Sequence, residues 1–280
     1  MPLTELVHYF NKRSQFAGAG GEEDSLAFDG GRVHAHFAGY VLGSLFQPLA
    51  ERDGRVLGHE AHLQAWGDGR ALPAQAVFLD ARTDEELVRL DRLVRTLHAL
   101  NFLLQREQAG GILSLNVHPR LVRAVPDRHG HVFESVLSRC GLTPDRVVLE
   151  LADDGLSDPA PLAAAIAEYQ ERGYRIALDN FGRHSSELGR LEALAPDIVK
   201  LDRSLSGRAR PPALTARVAA ALVPEIRRRG MLVVGQHIEN AEQLQHAKEL
   251  GADWLQGFLI GRPALDCRPV ARPRRVPVAA

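Results

Sequence analysis

The 280-residue sequence predicts an α/β chain folded as a (β/α)8 TIM-like barrel with an antiparallel first strand. Three observations carry this. Eight short apolar runs, many of them apolar through both faces, have the length of buried strands. From the third run onward, helical patterns separate most of them, as parallel βα units require. The first two runs are joined only by AERDGR, whose Asp53-Gly54 pair signals a tight turn, so those two pair as an antiparallel hairpin.

The runs are YVLGSLFQPL (40–49), RVLGHEAHL (55–63), GILSLNV (111–117), RVVLEL (146–151), YRIALDN (174–180), DIVKLD (197–202), MLVVGQ (231–236) and WLQGFLI (254–260). Between them, residues 84–105 carry Leu87, Leu90, Val94, Leu97 and Leu100 at helical spacing. Residues 161–173 and 215–230 are further helices, each closed by a glycine that suits a C-cap, with Pro224 expected to kink or end part of the second. The barrel domain is assigned to 36–266. Residues 1–35, Gly- and acid-rich over 17–32, read as a flexible leader, and 267–280, with four arginines among three prolines, as a disordered basic tail. Such a tail is solvated or touches an anionic partner.

A net charge of −1 excludes bulk electrostatic attachment to nucleic acid or to an anionic membrane. The chain has no apolar run of spanning length and no signal-peptide pattern at its start, so no membrane association is expected. Two cysteines, Cys140 and Cys267, make no disulfide scaffold and read as a helix-end and a tail residue; the expected location is the cytoplasm.

The chemistry lies at the strand ends. Gln47, Glu60, Asn116, Glu150, Asp179 with Asn180, Lys200 with Asp202, Gln236 and Gln256 each end or follow an apolar run, and a barrel gathers such positions on one rim. One such residue alone is commonly a cap or a turn. Together, Glu60, Asn116, Glu150 and Asp179 make an all-oxygen set suited to Mg²⁺, Mn²⁺ or Ca²⁺ rather than to Zn²⁺. Lys200 adds a cation able to hold a phosphate or orient a water. His59, His62, His118 and His237 read as packing or surface residues, and Trp66 and Trp254 as core or rim packing.

In order and spacing, FQPL (46–49), HEAHL (59–63), LNV (115–117), LEL (149–151), ALDNFG (177–182), IVKLDRSL (198–205), IENAEQ (238–243) and LQGFLIGRP (255–263) resemble the EAL domain family, the bacterial phosphodiesterases that open cyclic di-GMP to linear pGpG. The likeness runs over about residues 36–266. It implies metal ligands at Glu60, Asn116, Glu150 and Asp179, with Mg or Mn as the ion, and Asn180 at a second metal. It also implies a water-orienting Lys200 with Glu239 as its catalytic companion, ligand binding at Gln47, Gln64 and Gln256, and a homodimer.

Departures from the family pattern set the functional expectation. Asn180 replaces the second aspartate of Asp-Asp-Phe-Gly, and Gln236 stands where the family places its general base. Gln64 aligns with an arginine that holds a ligand phosphate, His62 replaces the leucine of the signature triplet, and Asp153, Arg183 and His184 alter supporting loops. Loss of a general base costs about 10²–10⁴ in rate. Loss of a charge-assisted phosphate contact costs about 1.5–3 kcal/mol. The expected protein is therefore a degenerate member with little or no phosphodiesterase activity, binding cyclic di-GMP or a regulatory protein partner. The alternatives are a slow but active metal-dependent phosphodiesterase and a protein-binding regulator without nucleotide.

Overall fold

The computed structural model describes residues 3–12, 25–105, 110–124, 134, 137–139, 141–152, 158–183, 188–206 and 211–269. The chain opens with α1 (Leu3–Lys12) and a hairpin of β1 (Ser25–Asp29) and β2 (Arg32–Phe37). The long hairpin β3 (Tyr40–Glu51) and β4 (Val56–Gly67) follows, then β5 (Arg70–Leu72), α2 (Ala74–Asp80) and α3 (Asp84–Leu103). The repeating part runs β6 (Ile112–Val117), α4 (Pro119–Ala124), β7 (Val147–Ala152), α5 (Ala160–Glu171), β8 (Arg175–Phe181), α6 (Leu188–Leu194), β9 (Ile198–Leu201), α7 (Arg203–Ser206), α8 (Ala213–Arg228), β10 (Leu232–Gly235), α9 (Ala241–Leu250) and β11 (Trp254–Leu255).

Eight strands close in the order β3-β11-β10-β9-β8-β7-β6-β4, sealed by β3–β4 pairing. β3 is antiparallel to both of its barrel neighbours, and β4 with β6 through β11 run parallel. The predicted irregular barrel is the observed one. In the hairpin Gln47 faces Glu60, which sets the site's first two side chains side by side.

The described residues before 36 depart from the leader expected there. Leu6, Val7 and Phe10 of α1 and Leu26, Val33 and Ala35 of the added hairpin join the main core. Burial of that apolar face orders the segment despite its Gly-rich neighbour. The turn Asp29-Gly30-Gly31-Arg32 has positive φ at both glycines, as a primed hairpin turn needs. Asn101 of α3 then holds β2, its side chain accepting from Val33 N–H at 2.9 Å and donating to Val33 C=O at 2.8 Å. Cys267 is likewise no tail residue: it is buried, and its N–H donates to Gln105 Oε1 at 2.7 Å. Arg268 N–H donates to His59 Nε2 at 2.9 Å, so chain packing runs past the expected boundary. Residues 13–24 and 270–280, with Cys140, Asp153 and His184, lie outside the described residues.

The predicted long helix is α3, opened by a capping box between Thr83 and Glu86. Pro224 neither ends nor interrupts α8, which continues to Arg228. The eighth expected strand, 254–260, is observed as β11, only two residues long, and the segment after it turns through Gly257. A Cβ at Gly257 would stand 2.2 Å from Ile238 N and O, so only glycine permits this approach of the last two barrel strand ends.

Two buried histidines set a pH dependence. Burial, and then the nearby Arg268, pushes His59 down to about 4; burial, and then His62, pushes His98 down to about 3. Both lie below the ordinary value of about 6.5, so unfolding takes up two protons once the pH drops beneath it. Their contribution is complete above about pH 6.5 and declines toward pH 4, by about 1.4 kcal/mol per pH unit for each ring. Urea unfolding at about pH 7 and about pH 5 checks this, and His98→Gln should remove about half of the decline. A pH-independent unfolding free energy across that interval would contradict it.

Candidate active site

Parallel register carries the polar strand ends to one rim. Glu60 stands beside Ser114 on β6, Asn116 beside Glu150 on β7, and Ala152 beside Asp179 on β8. A cavity of about 650 Å³ opens over them, lined by Glu60, Asn116, Glu150, Asp179 and Asn180 on its polar side. Phe78, stacked on His118 with ring centres 4.9 Å apart, forms part of the opposite wall.

At the floor the Lys200 ammonium lies between two carboxylates, donating to Glu60 Oε2 at 2.8 Å and to Glu150 Oε2 at 2.5 Å. All three side chains are buried. A buried ion triad of this kind persists only because each group is also hydrogen-bonded. Gln256 Nε2 donates to Glu60 Oε2 at 2.7 Å, Asn116 Nδ2 to Glu60 Oε1 at 3.0 Å, and Ser114 Oγ to Glu150 Oε1 at 2.5 Å. The two carboxylates separate in charge. Burial, and then the Glu60 charge beside it, raises Glu150 well above the ordinary carboxylate range. Glu60 is opposed by burial, but Lys200, His62 and the Gln256 donor hold it below that range. The Glu150 and Glu60 charges outweigh burial at Lys200 and keep it protonated.

Asp179 has a different environment. Gln236 Nε2 donates to its Oδ1 at 2.8 Å and Asn180 Nδ2 to its Oδ2 at 2.7 Å, so neutral amides cover both carboxylate oxygens. Asn180 sits at φ +58°, a left-handed conformation that asparagine tolerates better than most residues.

A divalent ion fits the donor set of Glu60, Asn116, Glu150 and Asp179, because all four are oxygen-bearing and line one cavity. Among the described residues no three His, Cys, Asp or Glu side chains converge as ligands, and Lys200 fills the gap between Glu60 and Glu150. A second ion beside Asp179 does not fit this arrangement, since its neighbours there turn N–H groups toward the carboxylate.

The other predicted site residues divide. Gln47 is buried beside the cluster, its Nε2 donating to Gly261 C=O at 3.1 Å and its Oε1 accepting from Gln256 at 3.4 Å. Gln64 sits opposite Gly43, beyond Glu60 on β4 and outside the cavity lining, with Oε1 buried and unpartnered. Glu239 is exposed ahead of α9, where its N–H donates to Gln243 Oε1 at 2.6 Å; none of the described contacts joins its carboxylate to the cluster. Ser114 and His62 belong to the site although the sequence reading assigned them no role. Ser114 was accessible to strand alternation, two residues before Asn116 and on its face.

An eight-stranded barrel carrying carboxylates, a lysine and amides at its C-terminal rim has the organisation of a site-bearing βα barrel. The chain belongs to the EAL domain family, which matches residues 41–263. Cyclic di-GMP phosphodiesterase PdeF of Escherichia coli is 25% identical over 82% of the chain and 30% of PdeF. The EAL-domain protein YkuI of Bacillus subtilis is 28% identical over 75% of the chain and 52% of YkuI. The chain thus spans about a third to a half of these relatives. The crystal structure of YkuI in complex with cyclic di-GMP and calcium superposes with a TM-score of 0.69 at 25% identity, over 82% of this chain and 56% of that one. Klebsiella pneumoniae BlrP1 in its manganese and cyclic di-GMP complex gives a TM-score of 0.69 at 24% identity, over 82% of this chain and 59% of BlrP1. None of the helices among the described residues is long and apolar enough to cross a membrane.

Proposed function

We propose that this chain is a cytoplasmic cyclic di-GMP signalling protein whose barrel binds the nucleotide with little or no phosphodiesterase activity. The observation that carries this reading is the amide cover on Asp179. Gln236 cannot accept a proton at neutral pH, and in the structure it donates one hydrogen bond to Asp179 while Asn180 donates another. Where relatives are named phosphodiesterases, this chain places neutral donors at two positions that the family pattern fills with acids.

The binding half rests on the floor of the cavity. Glu60, Asn116, Glu150 and Asp179 would hold one Mg²⁺ or Mn²⁺. Such an ion would supply Lewis acidity toward a phosphoryl oxygen and lower the pKa of a bound water. Lys200 contributes a fixed positive charge, while Gln256 and Asn116 hold Glu60 in place. With Gln64 in place of the arginine that the family pattern sets against a ligand phosphate, nucleotide affinity is reduced rather than abolished.

Retention of the Glu60–Lys200–Glu150 triad favours a second reading, a slow metal-dependent phosphodiesterase giving pGpG. A protein-binding regulator without nucleotide, acting as a monomer or homodimer, is the third.

Calorimetric titration with cyclic di-GMP, without metal and then with Mg²⁺ or Mn²⁺, separates them when each mixture is checked for pGpG. Binding without product is expected. Turnover on the order of 1 s⁻¹, ordinary for enzymes, would replace the proposal with the enzyme. Neither binding nor product would leave the protein-binding regulator.

A further inference from the structure

The cavity over the rim has a second, chemically different part. Beside the carboxylates it is lined by Ala61 and Leu63 of β4, Phe78 and Leu79 of α2, and Val94 of α3. Alternation on β4 makes the division: Glu60 turns inward to Lys200 and Gln256, while Ala61 and Leu63 turn to the helix layer. The result is an apolar chamber continuous with the polar rim. Phe78, stacked on His118, gives it an aromatic wall.

Along α3, Asp91, Val94 and His98 reach this cavity at helical spacing. Both Asp91 oxygens are already engaged, Oδ1 by the His118 N–H at 3.0 Å and Oδ2 by Arg95 Nε at 2.7 Å. His98 is different. Its residue is only 3% exposed, yet among the described contacts its Nε2 has no protein partner, and it is not sealed from the cavity. A relay behind the ring decides what that nitrogen offers. Asn101 accepts from Val33 N–H and donates to Val33 C=O, so its carboxamide has one orientation. The same Nδ2 donates to Ser44 Oγ at 3.2 Å. Ser44 Oγ lies 2.7 Å from His98 Nδ1, the one acceptor for the hydroxyl hydrogen among its described contacts. The hydroxyl donates to Nδ1, and the neutral ring carries its hydrogen on Nε2. The chamber thus presents one fixed donor and no free acceptor.

We propose that this chamber receives one guanine base of the nucleotide and that His98 reads its O6/N7 edge through Nε2–H, selecting guanine over adenine. Guanine shows two acceptors on that edge, whereas adenine sets an amino donor beside N7. The amino group would meet the His98 donor with no acceptor to take it, and an unpaired buried donor is costly. The aromatic and apolar walls suit the faces of a base. Ser44 and Asn101 are positioning residues, because they fix the tautomer that donates. The inference rests on the reading above that cyclic di-GMP enters this cavity, and it adds where a base goes and what reads it.

The test is calorimetric titration of the full chain with cyclic di-GMP and with cyclic di-AMP, for the native protein, His98→Leu and His98→Gln. The native chain should bind cyclic di-GMP at least about 10-fold tighter than cyclic di-AMP. His98→Leu should lose most of that preference by weakening cyclic di-GMP alone, and His98→Gln, which returns an amide donor, should recover part of it. A merely structural role would weaken both nucleotides together. Each variant is checked for native melting. A measurement on the nitrogen-15-labelled native chain needs no variant: the His98 Nε2 resonance should move when cyclic di-GMP is added. An unmoved resonance with nucleotide bound would overturn the proposal. So would equal affinity of the native chain for the two nucleotides, or a folded His98→Leu that keeps the preference. Each of these leaves the proposed function standing, because cyclic di-GMP is still bound. A native chain that binds neither nucleotide removes both.

Discussion

Replacing Asn180 and Gln236 together, as Asn180→Asp with Gln236→Glu, should raise hydrolysis of cyclic di-GMP by about 10²–10⁴ over the native chain, the range that a general base supplies. The physical reason lies around Asp179. In the native site its two oxygens accept from two neutral amides at 2.7 and 2.8 Å. Each replacement exchanges a donor for an acceptor, so the double variant gathers three carboxylates where there was one. In metal-free buffer these repel one another, and the variant should melt below the native chain. Excess Mn²⁺ should recover that loss, because a divalent ion is what three converging carboxylates lack. Product formation and thermal melting with and without Mn²⁺ read the two effects separately. If Mn²⁺ restores the melting temperature but pGpG does not appear, the missing activity lies elsewhere. Gln64, which does not line the cavity, is then the position to change.

The second large effect is on stability. Lys200→Met removes the only ammonium between Glu60 and Glu150 while keeping the length of the side chain. Breaking a buried ion set by deleting one partner costs about 3–5 kcal/mol, because the remaining charges have no compensation. For a chain of this size that corresponds to a melting temperature lower by about 2–4 °C for each kcal/mol. Glu150, already raised by burial and by Glu60, answers the loss of Lys200 by binding a proton more strongly. A carboxyl that is raised on folding weakens the fold as pH climbs, so the deficit should grow between about pH 6 and about pH 8. Melting curves in a chelating buffer at both values check this. A Lys200→Met chain that melts like the native one at the higher pH would show that the triad contributes nothing to the fold.

Much of the architecture could be read locally. Apolar runs such as RVVLEL and IALDN announce buried strands, Asp53-Gly54 announces the hairpin, and the polar residue closing each run marks the rim. Position at the ends of apolar runs, which a barrel gathers on one rim, was enough to place Glu60, Asn116, Glu150, Asp179 and Lys200 together. The added hairpin was legible too, in the alternation of Leu26, Val33, Ala35 and Phe37 around Asp29-Gly30-Gly31, but the glycines and acids beside it masked the signal. The boundary near Cys267 was hidden because Ala264 pairs with Phe46, more than two hundred residues away, and proline-rich composition carries no trace of that.

The sequence alone thus indicated which residues share the rim, since the ends of apolar runs are local properties of the chain. Only the closed barrel decided how they are paired. Lys200 meets Glu60 and Glu150 across separations of 140 and 50 residues, and the Gln236 amide meets Asp179 across 57. The same closure leaves Gln64 out of the cavity lining and Glu239 in solvent, and it sets the His62 ring against Gln47. Register and side-chain direction at a few ångströms set these contacts, and both are fixed by packing between segments distant in the chain.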